Sequence, residues 1–218
     1  MKNDSILLRC GRLVVLVLAL VPSVFAQPAS TYQLPPKDVV DAFDAAPLPD
    51  ATLSPSKKVI ALSSRRGQAS ISEIAQPMLR LAGARINPNN FGQHRAGLVY
   101  AIKLKPIAGG AEIDVKTPPN ARISNLRFSP DGSKLAFLNT RSDGIDLWVA
   151  DAATGKTSLA TNHANSTGGD VFDWMPDNAT LLCKVVPAGS PFDCCCRKLA
   201  ALCTLFGNTP LRTVSVSS

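Results

Sequence analysis

Three stretches of this chain share one pattern. "LSPSKKVIAL" begins at Leu53, "FSPDGSKLAFL" at Phe128 and "WMPDNATLLC" at Trp174. Each has an apolar residue, a small or flexible one, a proline, a polar turn and an apolar run. Pro presets φ near −65°, Asp bonds its own backbone and Gly accepts positive φ, so each reads as a β-hairpin turn. Pro130 and Pro176 are separated by one propeller-blade period of roughly 40–50 residues. The wider gap between Pro55 and Pro130 marks an insertion in the first unit.

The middle unit is the most regular. In "ISNLRFSPDGSKLAFLNT", Ser124, Leu126 and Phe128 alternate with Asn125 and Arg127, which gives one half-buried strand. Lys134 to Thr140 returns apolar on both faces, as an inner strand between neighbouring sheets would. "GIDLWVAD" supplies a third strand with Ile145, Leu147 and Val149 on one face, and "KTSLAT" a short fourth. Four antiparallel strands in this length make one blade. In the first unit "SEIAQPM" reads as one helical turn capped by Ser72 and ended by Pro77. "MLRLAGARIN", "GLVYAIKL" and "AEIDVKT" read as its strands two to four. The third unit has strands at Val171–Trp174 and Thr180–Val186, after which the repeat is lost. The fold class expected is therefore all-β: an incomplete propeller of two to three four-stranded antiparallel blades. Its blades fall at 51–117, 121–161 and 170–189, within a propeller region 51–189 that follows an extension at 27–50.

The ends differ from this body. Lys2, Arg9 and Arg12 precede the apolar run Leu13–Val21 and "PSVFAQ", the parts of a cleaved secretory signal at 1–26. Nine apolar residues fall short of the roughly 20 that span a bilayer. A retained membrane anchor is the alternative, and export to the periplasm or outside the cell is the expectation. Removing 1–26 lowers the formal charge from +7 to about +5. The remaining Lys and Arg are scattered, with no aromatic interleaving, so no nucleic-acid partner is expected. Residues 190–218 form a Cys-rich stretch with Cys194, Cys195, Cys196 and Cys203, following Cys183. They lack paired short spacings and a nearby His, so neither a zinc site nor a disulfide framework is read there. An irregular tail produced by a frameshift or truncation near Gly189–Ser190 is expected, with a redox or metal tail as the alternative.

"VADAATGKTSLAT" also satisfies a relaxed phosphate-loop pattern, with Ala150 in the place of the first Gly and Gly155-Lys156-Thr157 at its end. A phosphate loop needs a helix after the glycines, because the helix N-terminus holds the phosphates. The following "SLATNHANSTGGD" has no helical period. Asp151–Gly155 therefore reads as the turn between strands three and four, with Gly155 at positive φ and no nucleotide bound. His94 and His163 lie in polar loops and read as surface or turn histidines.

"YQLPPKDVVDAFDAAPLPDATLSP", "SEIAQPMLRLAGARINP", "FSPDGSKLAFLNTRSDGIDLWVADAATGKT" and "FDWMPDNATLLCKVVPAG" together resemble the N-terminal region of the prolyl oligopeptidase family, in its glutamyl endopeptidase-like branch. The resemblance runs from Tyr32 to about Gly189. It implies a β-propeller covering an α/β-hydrolase domain that carries a Ser-Asp-His triad and cleaves peptides. No G-x-S-x-G elbow occurs in this sequence. No catalytic, cofactor or metal residue is assigned, and no cofactor is expected. The leading reading is a non-catalytic propeller fragment of a secreted serine peptidase. Its partners in the parent are the hydrolase domain and peptide substrates, and the isolated chain is expected to self-associate. The alternative is a free-standing periplasmic propeller-type binding protein.

Overall fold

A computed structural model describes residues 35–81, 83–95, 97–186 and 211–216. The expected signal segment, the break near Gly189–Ser190 and Cys194, Cys195, Cys196 and Cys203 lie outside the described residues. Contacts divide the chain into two units, Met1–Phe43 and Asp44–Ser218. At the boundary lies helix α1, Lys37–Asp44, with Asp38 favourably placed in its first turn and no buried residue.

In the second unit the chain runs through β1 (Asp50–Leu53), β2 (Val59–Arg65), α2 (Ile71–Ile74), β3 (Leu79–Leu81), β4 (Ala84–Asn87) and β5 (Gly92–Gln93). It continues with β6 (Val99–Pro106), β7 (Ile113–Asp114), β8 (Ile123–Phe128), β9 (Lys134–Thr140), β10 (Ile145–Asp151) and β11 (Thr157–Thr161). The last strands are β12 (Phe172–Trp174), β13 (Thr180–Lys184) and β14 (Leu211–Ser215). All strand pairings are antiparallel. β1, β2, β6 and β7 form one four-stranded meander, and β8 to β11 form a second. A single residue pair, Val99 with Ile123, joins them into one eight-stranded ladder. β12, β13 and β14 make a third sheet.

The three hairpin turns share one backbone geometry. Lys57, Gly132 and Asn178, each two residues after the proline, all have positive φ (56°, 75° and 58°). Each donates its N–H to the carbonyl of the residue before the proline, Ser54, Ser129 or Met175. Those same residues donate back to Val59, Lys134 and Thr180, which closes each hairpin with the extra residue in the left-handed region. Neighbouring turns also touch. Asp131 N–H donates to Asn178 Oδ1 at 2.9 Å, and a Cβ on Gly132 would lie 2.6 Å from Ser56 Oγ. Hydrophobic burial then stacks the sheets. Ala61, Ile102 and Leu104 of the first meander pack with Leu135, Phe137 and Ala150 of the second. On the other side Ala136, Leu138, Leu147 and Val149 pack with Phe172, Leu181 and Cys183 of the third sheet. β9 is thus buried on both faces, as its unbroken apolar run requires.

Four local expectations are corrected. "MLRLAGARIN" is not a blade strand. It folds into the hairpin β3–β4, with Gly83 at φ 84° in its turn, and β5 completes a separate three-stranded sheet. The strand paired with β1 is β2. α2 is capped by Ser70 rather than Ser72: Ser70 Oγ accepts from Glu73 N–H while the Glu73 carboxylate accepts from Ser70 N–H, a reciprocal capping box. Along β8 the simple alternation fails. Asn125 sits at φ 51° in a register shift between Ser124 and Arg127, which adds one residue opposite β9. Finally, the stretch after 190 is not wholly irregular, because "LRTVS" pairs with β13 as β14. Its β-branched Thr213 and Val214 suit a pleated surface.

Candidate functional site

The phosphate-loop look-alike folds as a turn between β10 and β11. Gly155 has φ 69°, and its N–H donates to Asp151 O at 2.9 Å. Thr157 opens a strand, so the helix N-terminus that would hold phosphate is missing. The turn already contains its own anion. Asp151 Oδ1 accepts from Ala153 N–H, Thr154 N–H and Thr154 Oγ at 3.0, 2.7 and 2.8 Å. The Thr154 hydroxyl leads the effects that hold this carboxyl below its usual range, against a smaller opposing effect of burial. Thr157 Oγ donates to Lys116 O at 2.6 Å. The Ala153 and Thr154 donors of this turn are therefore already engaged by its own carboxylate.

Beside this turn lies a cleft of about 380 Å³, whose lining includes Lys134, Val149, Asp151, Lys156, Ser158 and Val216. Lys134 Nζ reaches Val216 O at 3.3 Å. Lys156 forms no ion pair among the described residues. This cleft brings the Lys134 and Lys156 side chains beside the end of β14.

A second polar cluster sits under the insertion between β2 and β6. The Glu73 side chain is 9% exposed and lies 3.7 Å from Arg66 and 3.8 Å from Arg122. Burial pushes its pKa up, but the two Ser70 hydrogen bonds and the two guanidinium groups outweigh it and hold the carboxyl below its usual range. Gln76, Asn87 and His94 adjoin it: Asn87 Nδ2 donates to Gln76 Oε1 at 2.6 Å, and His94 Nε2 lies 3.2 Å from Gln76 O. The enclosed space, about 10 Å³, suits one water and no substrate. This cluster fastens the insertion. The sequence signal for it was the Ser70-x-x-Glu73 spacing.

The remaining reactive groups among the described residues do not converge. His163 is exposed at φ 57°, and His94 is committed to Gln76. Cys183 is a buried free thiol, raised in pKa chiefly by burial, with Sγ 3.4 Å from Arg212 O. Asp146 is 7% exposed, with Oδ2 3.1 Å from Arg141 Nε. Its Oδ1 and the Trp148 Nε1 have no hydrogen-bond partner among the described residues. No group of three metal-ligating side chains occurs among the described residues.

Peptidases are among the proteins this chain is similar to. Two are named as probable chloroplastic glutamyl endopeptidases. The one from Oryza sativa subsp. japonica is 29% identical over 175 residues, which covers 73% of this chain and 19% of the relative. The one from Arabidopsis thaliana is 28% identical over 170 residues, covering 72% and 18%. The chain therefore spans about a fifth of the length of these relatives. Among solved structures, an acylaminoacyl peptidase of Pyrococcus horikoshii matches with TM-score 0.41 and 19% identity, over 71% of this chain and 20% of its own. An acylaminoacyl peptidase in complex with Z-Gly-Gly-Phe-chloromethyl ketone gives the same TM-score, 0.41, with 19% identity over 71% and 20%. No family model matches the sequence.

Proposed function

We propose that this chain is the propeller region of an exported serine peptidase of the prolyl oligopeptidase type, and that it gates peptide access without cleaving peptides itself. The observation that carries the reading is the match to the two glutamyl endopeptidases, which extends over most of the chain. Stacked four-stranded meanders joined at repeated Pro turns suit successive blades. Peptide hydrolysis needs a nucleophile, a base and oxyanion donors in mutual reach. In this reading a separate α/β-hydrolase domain supplies them.

Labelling the natural gene product with a fluorophosphonate reagent, followed by peptide mapping, tests this. The expected result is a peptide-cleaving product whose labelled serine lies outside residues 1–218, while the purified 218-residue chain turns over no chromogenic peptide. A labelled serine within the chain overturns the non-catalytic assignment, and a natural product with neither label nor peptidase activity overturns the peptidase reading. Export is proposed from the Lys2–Ala26 pattern, and a natural product beginning at Gln27 is the expected N-terminal sequence. The isolated chain is also proposed to self-associate, and a monodisperse monomer in sedimentation would refute that.

A further inference from the structure

The third sheet has three strands among the described residues, where the two meanders have four. β14 is its outer strand, and nothing among the described residues pairs with its far edge. Val216 N–H points inward to Ala179 O at 2.8 Å. Strand residues alternate, so Thr213 and Ser215 direct their N–H and C=O groups outward. Both residues are exposed. By the same alternation Arg212 shares a face with Val214 and Val216, the two valines that pack towards the second meander. That face borders the cleft of Lys134, Val149, Lys156 and Ser158. The cleft thus combines an apolar floor, Val149 and Val216, with two lysines. Its one acid, Asp151, already accepts three bonds from its own turn through Oδ1.

We propose that the edge of β14 left unpaired among the described residues and the adjoining cleft dock an extended peptide segment bearing acidic side chains. Its backbone adds as a fourth strand on Thr213 and Ser215, and alternate side chains enter the cleft, where their carboxylates meet Lys156 and Lys134. Main-chain hydrogen bonds provide the affinity in such strand addition, and the side-chain pockets provide the specificity. The inference stands on edge geometry and charge, independently of the peptidase reading.

Fluorescence anisotropy of the full chain with labelled peptides of alternating Thr–Glu or Thr–Lys sequence tests it. The Thr–Glu peptide is expected to bind about tenfold more tightly, with the gap narrowing as salt is raised. Lys156→Glu should abolish that preference. Thr213→Pro removes an outward N–H without breaking the β13 ladder, and should weaken both peptides about tenfold, whereas Thr213→Val should not. Circular dichroism and urea melts establish that each variant folds, and Lys156→Glu alone decides the matter if Thr213→Pro does not fold. Equal binding of the two peptides by the unaltered chain, or unchanged affinity in folded Thr213→Pro, overturns the proposal. So does dimerisation that Thr213→Pro abolishes in a chain binding neither peptide, since the edge then serves a second copy.

Discussion

At the scale of single residues, Gly155 answers to two constraints. Its φ of 69° lies in the left-handed region, and a Cβ there would stand 2.5 Å from Asp114 O and 2.9 Å from Ile113 Cγ2. Backbone cannot rotate away as a side chain can. Gly155→Ala is therefore expected to cost about 2–4 kcal/mol, read from urea melts. Gly132→Ala meets the Ser56 hydroxyl, which can turn aside, and the Ser54 and Ser56 Cβ atoms at 3.2 and 3.3 Å, which need to give by only a few tenths of an ångström. It should cost less, about 1–3 kcal/mol. Two buried carboxyls predict opposite pH behaviour. Glu73 is held below its usual value near 4.5, so its contribution is present above that pH and is lost as pH falls through the lowered value. Glu73→Gln should therefore be less stable than the unaltered chain at pH 7, with the difference closing in acid. Asp146 is raised, first by burial and then by Asp143, against Arg141 and His163. Its penalty is absent below about 3.8, sets in as pH rises to the raised value and persists above it. Asp146→Asn should match the unaltered chain at pH 3 and exceed it at pH 7, by urea midpoints.

At the scale of elements, the hairpins were legible because the turn chemistry is local: a Pro and a residue that tolerates positive φ two positions later fix the geometry wherever they occur. The insertion was harder to read. "MLRLAGARIN" carries strand-forming residues on both sides of Gly83, and composition alone does not say whether the chain passes straight through or reverses. The cap of α2 turned on counting three residues forward to Glu73, which selects Ser70 and rejects Ser72. β14 was hidden by the cysteines before it, although "TVSVS" alternates as a strand should. The cleft was not legible, and of the Glu73 cluster only the Ser70-x-x-Glu73 spacing was, since the other members come from segments distant in sequence. The insertion also makes a prediction. Arg66 N–H donates to Leu98 O at 3.0 Å, so the strands it separates are already in register. Replacing residues 67–97 by Asn-Gly should leave cooperative unfolding intact. The midpoint should fall, because Ile145 loses the Gly92 backbone that it abuts and Arg141 O loses the Asn90 amide. Loss of cooperativity would show that the insertion is integral to the sheet stack.

At the scale of the Asp44–Ser218 unit, protection should follow depth in the stack. The middle meander gives one face to each of two core clusters, and Leu135, Ala136, Phe137 and Leu147 are fully buried. The first and third sheets are covered by these clusters on one side. Their other faces mix Leu62 with Lys103 and Lys105, and Leu182 with Thr213. Local opening requires exposing the apolar area that an element buries, so strands covered on both faces open only with the whole unit. Native-state hydrogen exchange should therefore find its slowest amides in β9 and β10, exchanging at the global unfolding rate. Amides of β1 and β14, with largely exposed side chains, should exchange through small local openings. Truncating Phe137 to Ala should cost about 3–5 kcal/mol and accelerate β9 and β10 together. If β14 proved as protected as β9, its edge would be covered in solution, and strand addition would have to displace whatever covers it.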